Sequence, residues 1–321
     1  MTPFAVAGIQ MHIAATHENV TAMTHKVEQV IARFPWVQMV MFSELAPFGP
    51  LPDQHPEDTS EALDVFRRLA AKYQIWLLPG TIYTRRADGG LYNVAPVIGP
   101  DGTVVTEYAK MFPFEPYEKG ISRGSEFCVF DVPDAGRFGL SICYDIWFPE
   151  TTRQLTAMGA EVLLHPVLTN TIDRDIELSI ARSTAAMFQC YVFDINGLAA
   201  GGTGRSCVVG PAGTVLYQAA GQDEIIPVEV DFDLVRRQRA VGLRGLGQTL
   251  KSFRDHRADF PVYDEARFDA SYLNTLGPLA MQTKGSRAGI DAPAPADSGQ
   301  QADNMTTAGD TVIPRLIEGS G

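Results

Sequence analysis

Short apolar segments alternate with segments of helical periodicity from residue 4 to about residue 235. Strands are predicted where β-branched and aromatic residues are concentrated, and helices where apolar residues recur every three or four positions. The predicted strands cover residues 4–10, 37–43, 75–83, 91–98, 103–108, 127–132, 138–142, 161–165, 191–195, 206–209, 214–218 and 224–230. The predicted helices cover residues 17–33, 60–73, 149–158 and 173–188.

This strand–helix alternation indicates an α/β layer fold. Strand 161–165 is apolar on both faces, so helices are needed to cover the sheets. The predicted hairpin of strands 206–209 and 214–218 adds an antiparallel pair, and mixed sheets are therefore expected. The chain has 321 residues, of which 45% are hydrophobic, and this is enough apolar material for a large core.

Beyond residue 240 the pattern weakens, and from about Lys284 to Gly321 small and polar residues and proline dominate. This composition is typical of a disordered tail without a packed core. The alternative is an arm that docks on a neighbouring subunit through the apolar segment 312–317. We therefore predict a folded domain over residues 1–283 and a disordered or subunit-docking tail over residues 284–321.

The formal net charge is −12. Because phosphate-binding surfaces need clustered lysine and arginine, we expect neither a nucleic-acid partner nor an anionic membrane. No apolar run reaches the ~18 residues that span a bilayer. The first residues lack the basic and apolar regions of a signal peptide, so the expected location is cytoplasmic.

The chain has four cysteines and six histidines. The cysteines form no CxxC pair, so in a reducing compartment they are expected to be free thiols. The histidines form neither an HxxxH nor an HExxH pattern, and no metal site is expected.

Three predicted strands lead to a reactive side chain, namely Glu44, Lys110 and Cys143. Ligands collect at the carboxyl ends of strands in α/β sheets, so these side chains would form one site. A thiol has a pKa near ~8.5 and needs a cation or base to become a thiolate near neutrality. Lys110 can favour the thiolate and stabilise an oxyanion, while Glu44 can accept the thiol proton and deliver it to a leaving amine. The backbone N–H of Tyr144 would add an oxyanion donor.

Each of these residues is also compatible with a structural role. Glu44 is compatible with a helix cap, Lys110 with a solvated surface lysine, and Cys143 with a small buried apolar residue. Only the combination indicates a nucleophilic site.

Segments 42–45, 108–113 and 139–150 resemble the Glu, Lys and Cys regions of the carbon–nitrogen hydrolase family, also called the nitrilase superfamily. The resemblance extends from residue 4 to about residue 260. It implies a four-layer αββα sandwich with mixed sheets that pairs into an αββα–αββα homodimer or a larger homo-oligomer. Residues 1–283 would form the catalytic domain. The resemblance also implies catalysis through a thioester acyl-enzyme, with no cofactor and no metal.

The same resemblance implies that Cys143 is the nucleophile, Glu44 the general base and Lys110 the lysine of the triad. Many members carry a second glutamate after the lysine. Glu118 follows Lys110 by eight residues, which matches the spacing of aliphatic amidases, so it is preferred to Glu115. Its expected role is to orient Lys110 and the substrate amide; the alternative is an exposed loop acid.

Tyr144-Asp145 follows the cysteine where true nitrilases usually have Trp-Glu, and this favours amides over nitriles. The Cys-Tyr-Asp and Phe-Pro-Glu sequences resemble the branch that holds ω-amidases and deaminated-glutathione amidases. Segment 203–206 departs from the Gly-His-Ser of that branch. Tyr144, His165 and Thr169 are the predicted substrate-binding residues, with His165 near the rim of the expected pocket.

The predicted function is hydrolysis of a small carboxamide with release of ammonia. One alternative is hydrolysis of an N-carbamoyl compound, with Arg205 as a candidate to hold its carboxylate. A nitrilase and a catalytically silent scaffold of the same fold are the remaining alternatives.

Overall fold

The computed structural model describes residues 3–256, 258–264 and 266–281. The chain divides into two units, Met1–Asp259 and Phe260–Gly321. The described part of the second unit contains a 3-10 segment (Pro261–Tyr263) and a short helix (Ser271–Asn274). The predicted tail 284–321 and its segment 312–317 lie outside the described residues. The domain limits drawn from the sequence therefore stay a prediction.

The first unit contains the predicted strand–helix alternation. Its strands are β1 (Phe4–Gln10), β2 (His12–Ile13), β3 (Met39–Phe42), β4 (Trp76–Leu78), β5 (Ile82–Arg85), β6 (Leu91–Ile98), β7 (Val104–Ala109), β8 (Ile121–Ser122), β9 (Val129–Val132), β10 (Gly136–Leu140), β11 (Val162–Val167), β12 (Tyr191–Asn196), β13 (Leu198–Ala199), β14 (Cys207–Val209), β15 (Val215–Gln218) and β16 (Glu224–Val230). Its helices are α1 (Val20–Arg33), α2 (Ser60–Tyr73), α3 (Pro149–Ala157), α4 (Arg174–Phe188), α5 (Phe232–Val241) and α6 (Thr249–Asp255). A 3-10 segment, Cys143–Trp147, lies between β10 and α3.

The strands form two large sheets. In the first sheet the order is β16-β1-β3-β4-β6-β5, and β7 and β8 also pair with β6. In the second sheet the order is β15-β14-β12-β11-β10-β9. Both sheets combine parallel and antiparallel pairs, since β1 runs parallel to β3 and antiparallel to β16, and β10 runs parallel to β11 and antiparallel to β9. The expectation of mixed sheets is confirmed.

Successive side chains of the buried strands belong to different cores, which shows that the two sheets pack face to face. In β1, Ala5, Ala7 and Ile9 pack in one core with residues of α1 and α2. The intervening Phe4 and Val6 belong to a different core, which they share with strands of the second sheet. Because successive strand side chains point to opposite faces, β1 contributes to two cores at once.

A third core lies between the second sheet and the helices on its other side. Leu163 and Val192 of the sheet pack there with Leu155 of α3 and Ala181 of α4. The layers are therefore helices, sheet, sheet and helices, which is the predicted αββα sandwich.

The predicted strand 75–83 is divided into β4 and β5. Gly80 lies in the interruption with φ +81°, and a Cβ at this position would be 2.0 Å from the Ser43 carbonyl oxygen. The preceding Pro79 has no N–H to donate to a sheet. The break thus allows the chain to pass close to the turn after β3.

We expect Gly80→Ala to lower the free energy of unfolding by about 3 kcal/mol, because it adds a steric overlap to a positive φ. Gly89→Ala is the matched control. Gly89 has a similar φ of +84°, but no heavy atom of the described residues lies within 4 Å of a Cβ there. Its expected loss is about 1 kcal/mol. Urea unfolding of both variants measures the difference, and equal losses would show that the Ser43 contact costs nothing.

Candidate active site

The three predicted reactive residues follow strands of both sheets. Glu44 comes after β3 and Lys110 directly after β7, whereas Cys143 opens the 3-10 segment after β10. The Glu44 backbone N–H donates to the Val167 carbonyl at 3.2 Å. Since Val167 ends β11, this bond joins the two sheets at the site.

Lys110 lies at the centre of the polar contacts and is 1% exposed. Its Nζ donates to Glu44 Oε1 at 2.8 Å and to Glu118 Oε2 at 2.7 Å. Burial lowers the pKa of Lys110, but the charges of Glu118 and Glu44 outweigh it and hold this pKa well above its usual range. The buried ammonium therefore stays charged, since two carboxylates replace its lost hydration.

Glu44 is buried beside this ammonium. Burial raises the pKa of Glu44 to about 7, although the charge of Lys110 acts in the opposite direction. The pKa of Glu44 also responds to a hydrogen bond with the Cys143 side chain. A carboxylate with such a pKa can take up and release a proton near neutrality, as a general base must.

Cys143 has a positive φ of +46°. This conformation is uncommon for a residue with a Cβ and occurs often at functional turns. Its thiol contacts the Leu168 carbonyl oxygen, with 3.8 Å between sulfur and oxygen. Burial, followed by the charge of Glu44, raises the pKa of the thiol well above its usual range, while Lys110 lowers it. The resting side chain is therefore a neutral thiol that must pass its proton to a base.

Glu118, and not Glu115, lies beside Lys110. Besides the lysine contact, Glu118 Oε2 accepts the Phe114 backbone N–H at 2.5 Å. Burial raises the pKa of Glu118, yet Lys110 and these donors bring it below its usual value. Glu115 instead binds Arg123 at 2.5 Å near the surface. In this structure Glu118 is not an exposed loop acid.

Two further side chains at this centre were not predicted. Asn93 on β6 is fully buried and donates from Nδ2 to Glu44 Oε1 at 2.8 Å. The hydroxyl of Tyr83 on β5 donates to Glu118 Oε1 at 3.4 Å. The amide of Asn93 within a largely apolar strand could have indicated its role, because a buried amide needs hydrogen-bond partners.

Asp145 connects the cysteine turn to the segment after Lys110. Its carboxylate accepts hydrogen bonds from the Tyr108 hydroxyl at 2.8 Å, the Ile142 N–H at 2.9 Å and the Phe112 N–H at 2.8 Å. Burial raises the pKa of Asp145 to about 6, although these donors lower it. The sequence indicated Asp145 only as part of a motif, and its hydrogen bonds to both segments were not predicted.

The predicted substrate-binding residues differ in their burial and in their contacts. Tyr144 is half-buried, and its ring packs edge-on against Phe114 with 5.0 Å between centroids. His165 is 1% exposed, so it lies inside the protein, and its Nδ1 is 3.1 Å from Ser141 Oγ. Burial lowers the pKa of His165 to about 4, so the ring is neutral at pH 7.

Thr169, the last of these predicted residues, is buried two residues beyond β11. Its backbone N–H and carbonyl are both bound by the side chain of Asn196, each at 3.0 Å. These paired bonds fix the loop that carries Leu168, whose carbonyl meets the Cys143 thiol.

A buried ion cluster was also missed. Arg174 donates to Asp194 at 2.5 Å and to Glu177 at 3.3 Å. Asp194 on β12 lies opposite His165 on β11 in the sheet register. The indole Nε1 of Trp147 is 3.5 Å from Glu177 Oε1. The cluster thus reaches the end of the segment that Cys143 begins.

Within residues 3–256, 258–264 and 266–281, no three His, Cys, Asp or Glu side chains group in a way that could hold a metal ion. In the same ranges no helix combines the length and apolarity needed to cross a membrane.

Known proteins resemble this chain in sequence and in structure. Omega-amidase NIT2 of Homo sapiens is 27% identical over 277 residues, which cover 81% of this chain and 97% of the human protein. The crystal structure of Nit3 from Saccharomyces cerevisiae, of the nitrilase superfamily, superimposes with a TM-score of 0.67 at 25% identity and covers 74% of this chain and 93% of the yeast chain. A carbon–nitrogen hydrolase from Helicobacter pylori G27 has the same fold, with a TM-score of 0.69 at 24% identity and coverage of 79% and 97%.

The family model for carbon–nitrogen hydrolases matches residues 5–240. This range contains the three predicted reactive residues and, apart from Phe4, the strands of both large sheets. The chain therefore belongs to the carbon–nitrogen hydrolase family.

Proposed function

We propose that this protein is an amidase that hydrolyses the C–N bond of a small carboxamide and releases ammonia, with Cys143 as its nucleophile. The proposal rests mainly on the buried ammonium of Lys110, which binds the carboxylates of Glu44 and Glu118 simultaneously beside the cysteine turn. Similarity to omega-amidase NIT2 supports an amide as the substrate.

In the first half-reaction, Glu44 accepts the proton of the Cys143 thiol while the sulfur attacks the amide carbonyl carbon. Lys110 and the backbone N–H of Tyr144 stabilise the negative charge that develops on the carbonyl oxygen. Glu44 then gives its proton to the amide nitrogen, the C–N bond breaks, and ammonia leaves. The product is a thioester between Cys143 and the acyl group.

In the second half-reaction, Glu44 removes a proton from a water molecule, and the oxygen attacks the thioester carbon. The C–S bond breaks, a carboxylic acid leaves, and the proton on Glu44 returns to the sulfur. Glu118 keeps Lys110 in place through both steps and orients the substrate amide. Positioning of this kind contributes strongly to catalysis because the ordering is done before the reaction.

We also propose Tyr144, His165 and Thr169 as residues that shape substrate binding. Tyr144 is supported by its position next to Cys143 and by its partial exposure. His165 and Thr169 are both buried, His165 against Ser141 just before the cysteine turn and Thr169 beside Leu168 in the loop after β11. They would act on the substrate through the shape of these segments.

The N-carbamoyl alternative has less support. Arg205, the candidate for its carboxylate, binds Asp175 with 2.7 Å between nitrogen and oxygen. A substrate carboxylate would have to displace this partner.

Cys143→Ala is expected to abolish ammonia release from every active substrate, because it removes the attacking sulfur. The measurement is ammonia release from aliphatic amides, ω-amides, carbamoyl amino acids and nitriles. Cys128→Ala is the matched control, since Cys128 is 7% exposed and Cys143 is 8% exposed. The control should keep nearly full activity. Equal rates for Cys143→Ala and the wild type would exclude the mechanism, and no release from any compound would favour a silent scaffold.

The pH dependence of kcat/KM should have an acid limb with a midpoint near 7. The pKa of Glu44 is raised to about 7 by burial, and the base form is lost as pH falls through this value. Activity is therefore expected to be full above pH 8 and to decline below pH 7. A midpoint near 6 would instead point to Asp145, whose pKa is about 6. A flat profile between pH 5 and 8 would contradict a titrating base.

His165→Ala should lower kcat/KM about tenfold, because Ser141 loses its buried partner two residues before the nucleophile. His12→Ala is the control, since His12 is exposed on β2. Steady-state ammonia release at pH 8 measures both variants. An unchanged kcat/KM for His165→Ala would exclude this residue from substrate binding and from positioning.

A further inference from the structure

Glu177 brings a carboxylate to the end of the 3-10 segment that begins at Cys143. Glu177 is on α4, and its Oε1 is 3.5 Å from the indole nitrogen of Trp147, the last residue of the segment that Cys143 opens. Burial raises the pKa of Glu177, and interaction with the Thr169 side chain opposes this rise. The adjacent Leu168 carbonyl contacts the Cys143 thiol. Glu177 is therefore attached to both segments that border the nucleophile.

The negative charge of Glu177 is only partly balanced. Its cationic neighbour Arg174 is 3.3 Å away, but the same guanidinium lies 2.5 Å from Asp194. One guanidinium thus serves two carboxylates, and Asp194 has the closer contact. Since opposite charges attract in inverse proportion to distance, Glu177 keeps the larger unbalanced share. Its side chain is 6% exposed, comparable to the 8% of Cys143.

Among the described residues, Lys110 beside the nucleophile and Arg205, the candidate for a substrate carboxylate, already have carboxylate partners. Lys110 binds Glu44 and Glu118, and Arg205 binds Asp175. A carboxylate on the acyl part of a substrate would lose its hydration here and would find these two described cations already paired, which is costly in a buried site. An ammonium group would instead gain a carboxylate partner.

From these contacts we propose that the site selects carboxamides whose acyl chain ends in an ammonium group, and that Glu177 determines this specificity. The proposal rests on the proposed amidase function and names its substrate class. The amide lies at Cys143 between Lys110 and the Tyr144 N–H, and the ammonium end points toward Glu177 and the Trp147 ring. An aromatic face also attracts cations, so the indole would support the same preference.

Three amides with the same tetramethylene chain test this proposal. They are 5-aminopentanamide, which is cationic, hexanamide, which is neutral, and the monoamide of adipic acid, which is anionic. We expect kcat/KM for ammonia release to decrease in that order, with at least about a tenfold difference between the cationic and anionic amides. Glu177→Gln should bring the ratio of the cationic to the neutral amide close to one and change the rate for hexanamide less than about threefold.

Glu161→Gln is the matched control. Glu161 is also a buried glutamate bound to an arginine, with 2.8 Å to Arg236, and it lies just before β11 at the end of this strand away from Leu168. This variant should keep the wild-type ratio of the cationic to the neutral amide. Thermal unfolding of both variants separates a loss of fold from a change in specificity.

Each result decides the question. If the monoamide of adipic acid is the best substrate, or if Glu177→Gln and the wild type give the same ratios, the charge preference is overturned while the amidase function stands. If no amide releases ammonia from the wild type, both proposals fail. If Glu177→Gln does not fold, competition by pentylamine and by hexanoate in the wild type decides: stronger inhibition by pentylamine supports the proposal, and stronger inhibition by hexanoate overturns it.

Discussion

The burial of the Lys110 ammonium is the constraint that organises this site. A charged amine cannot be taken out of water without partners, and here two carboxylates from different parts of the chain provide them. Glu44 reaches the amine from the end of β3, and Glu118 from the loop that follows β7. The first sheet must therefore hold its strand ends in a fixed relation, because a shift of either carboxylate would leave a buried charge unpaired.

The second sheet is tied to this centre through two residues, Glu44 and Asp145. The Glu44 N–H binds the carbonyl at the end of β11, and Asp145 binds both the cysteine turn and the Phe112 N–H after Lys110. The proposed nucleophile follows a strand of one sheet, and the proposed base and lysine follow strands of the other. The packed interface between the sheets thus positions the reacting groups, which explains why the turn at Cys143 can tolerate its positive φ.

The sequence predicted those features that depend on local pattern. Each of the three predicted reactive residues follows a predicted strand. A reactive side chain at the end of a strand can be recognised in the sequence without knowing the order of the strands in the sheet. Asn93 and the Arg174 cluster could not be found in this way, because they depend on which strands become neighbours. Asp194 lies opposite His165 only through the β11–β12 register. The break between β4 and β5 likewise depends on the approach of Gly80 to Ser43, a contact between segments that are distant in sequence.

The charges of the site are compatible with a buried cysteine that rests as a neutral thiol and acts as the proposed nucleophile. Burial disfavours the thiolate, and the charge of Glu44 disfavours it further, so the proton stays on sulfur in the resting state. Burial also raises the pKa of Glu44 to about 7. The free energy needed to move the proton from sulfur to this carboxylate then depends on what stabilises the negative charge of the thiolate. Lys110 favours the thiolate, and its ammonium is already oriented by Glu118. A substrate carbonyl that accepts the negative charge from sulfur would complete the transfer, so proton movement and attack are coupled. In the proposed mechanism the thiol therefore keeps its proton until an amide occupies the site.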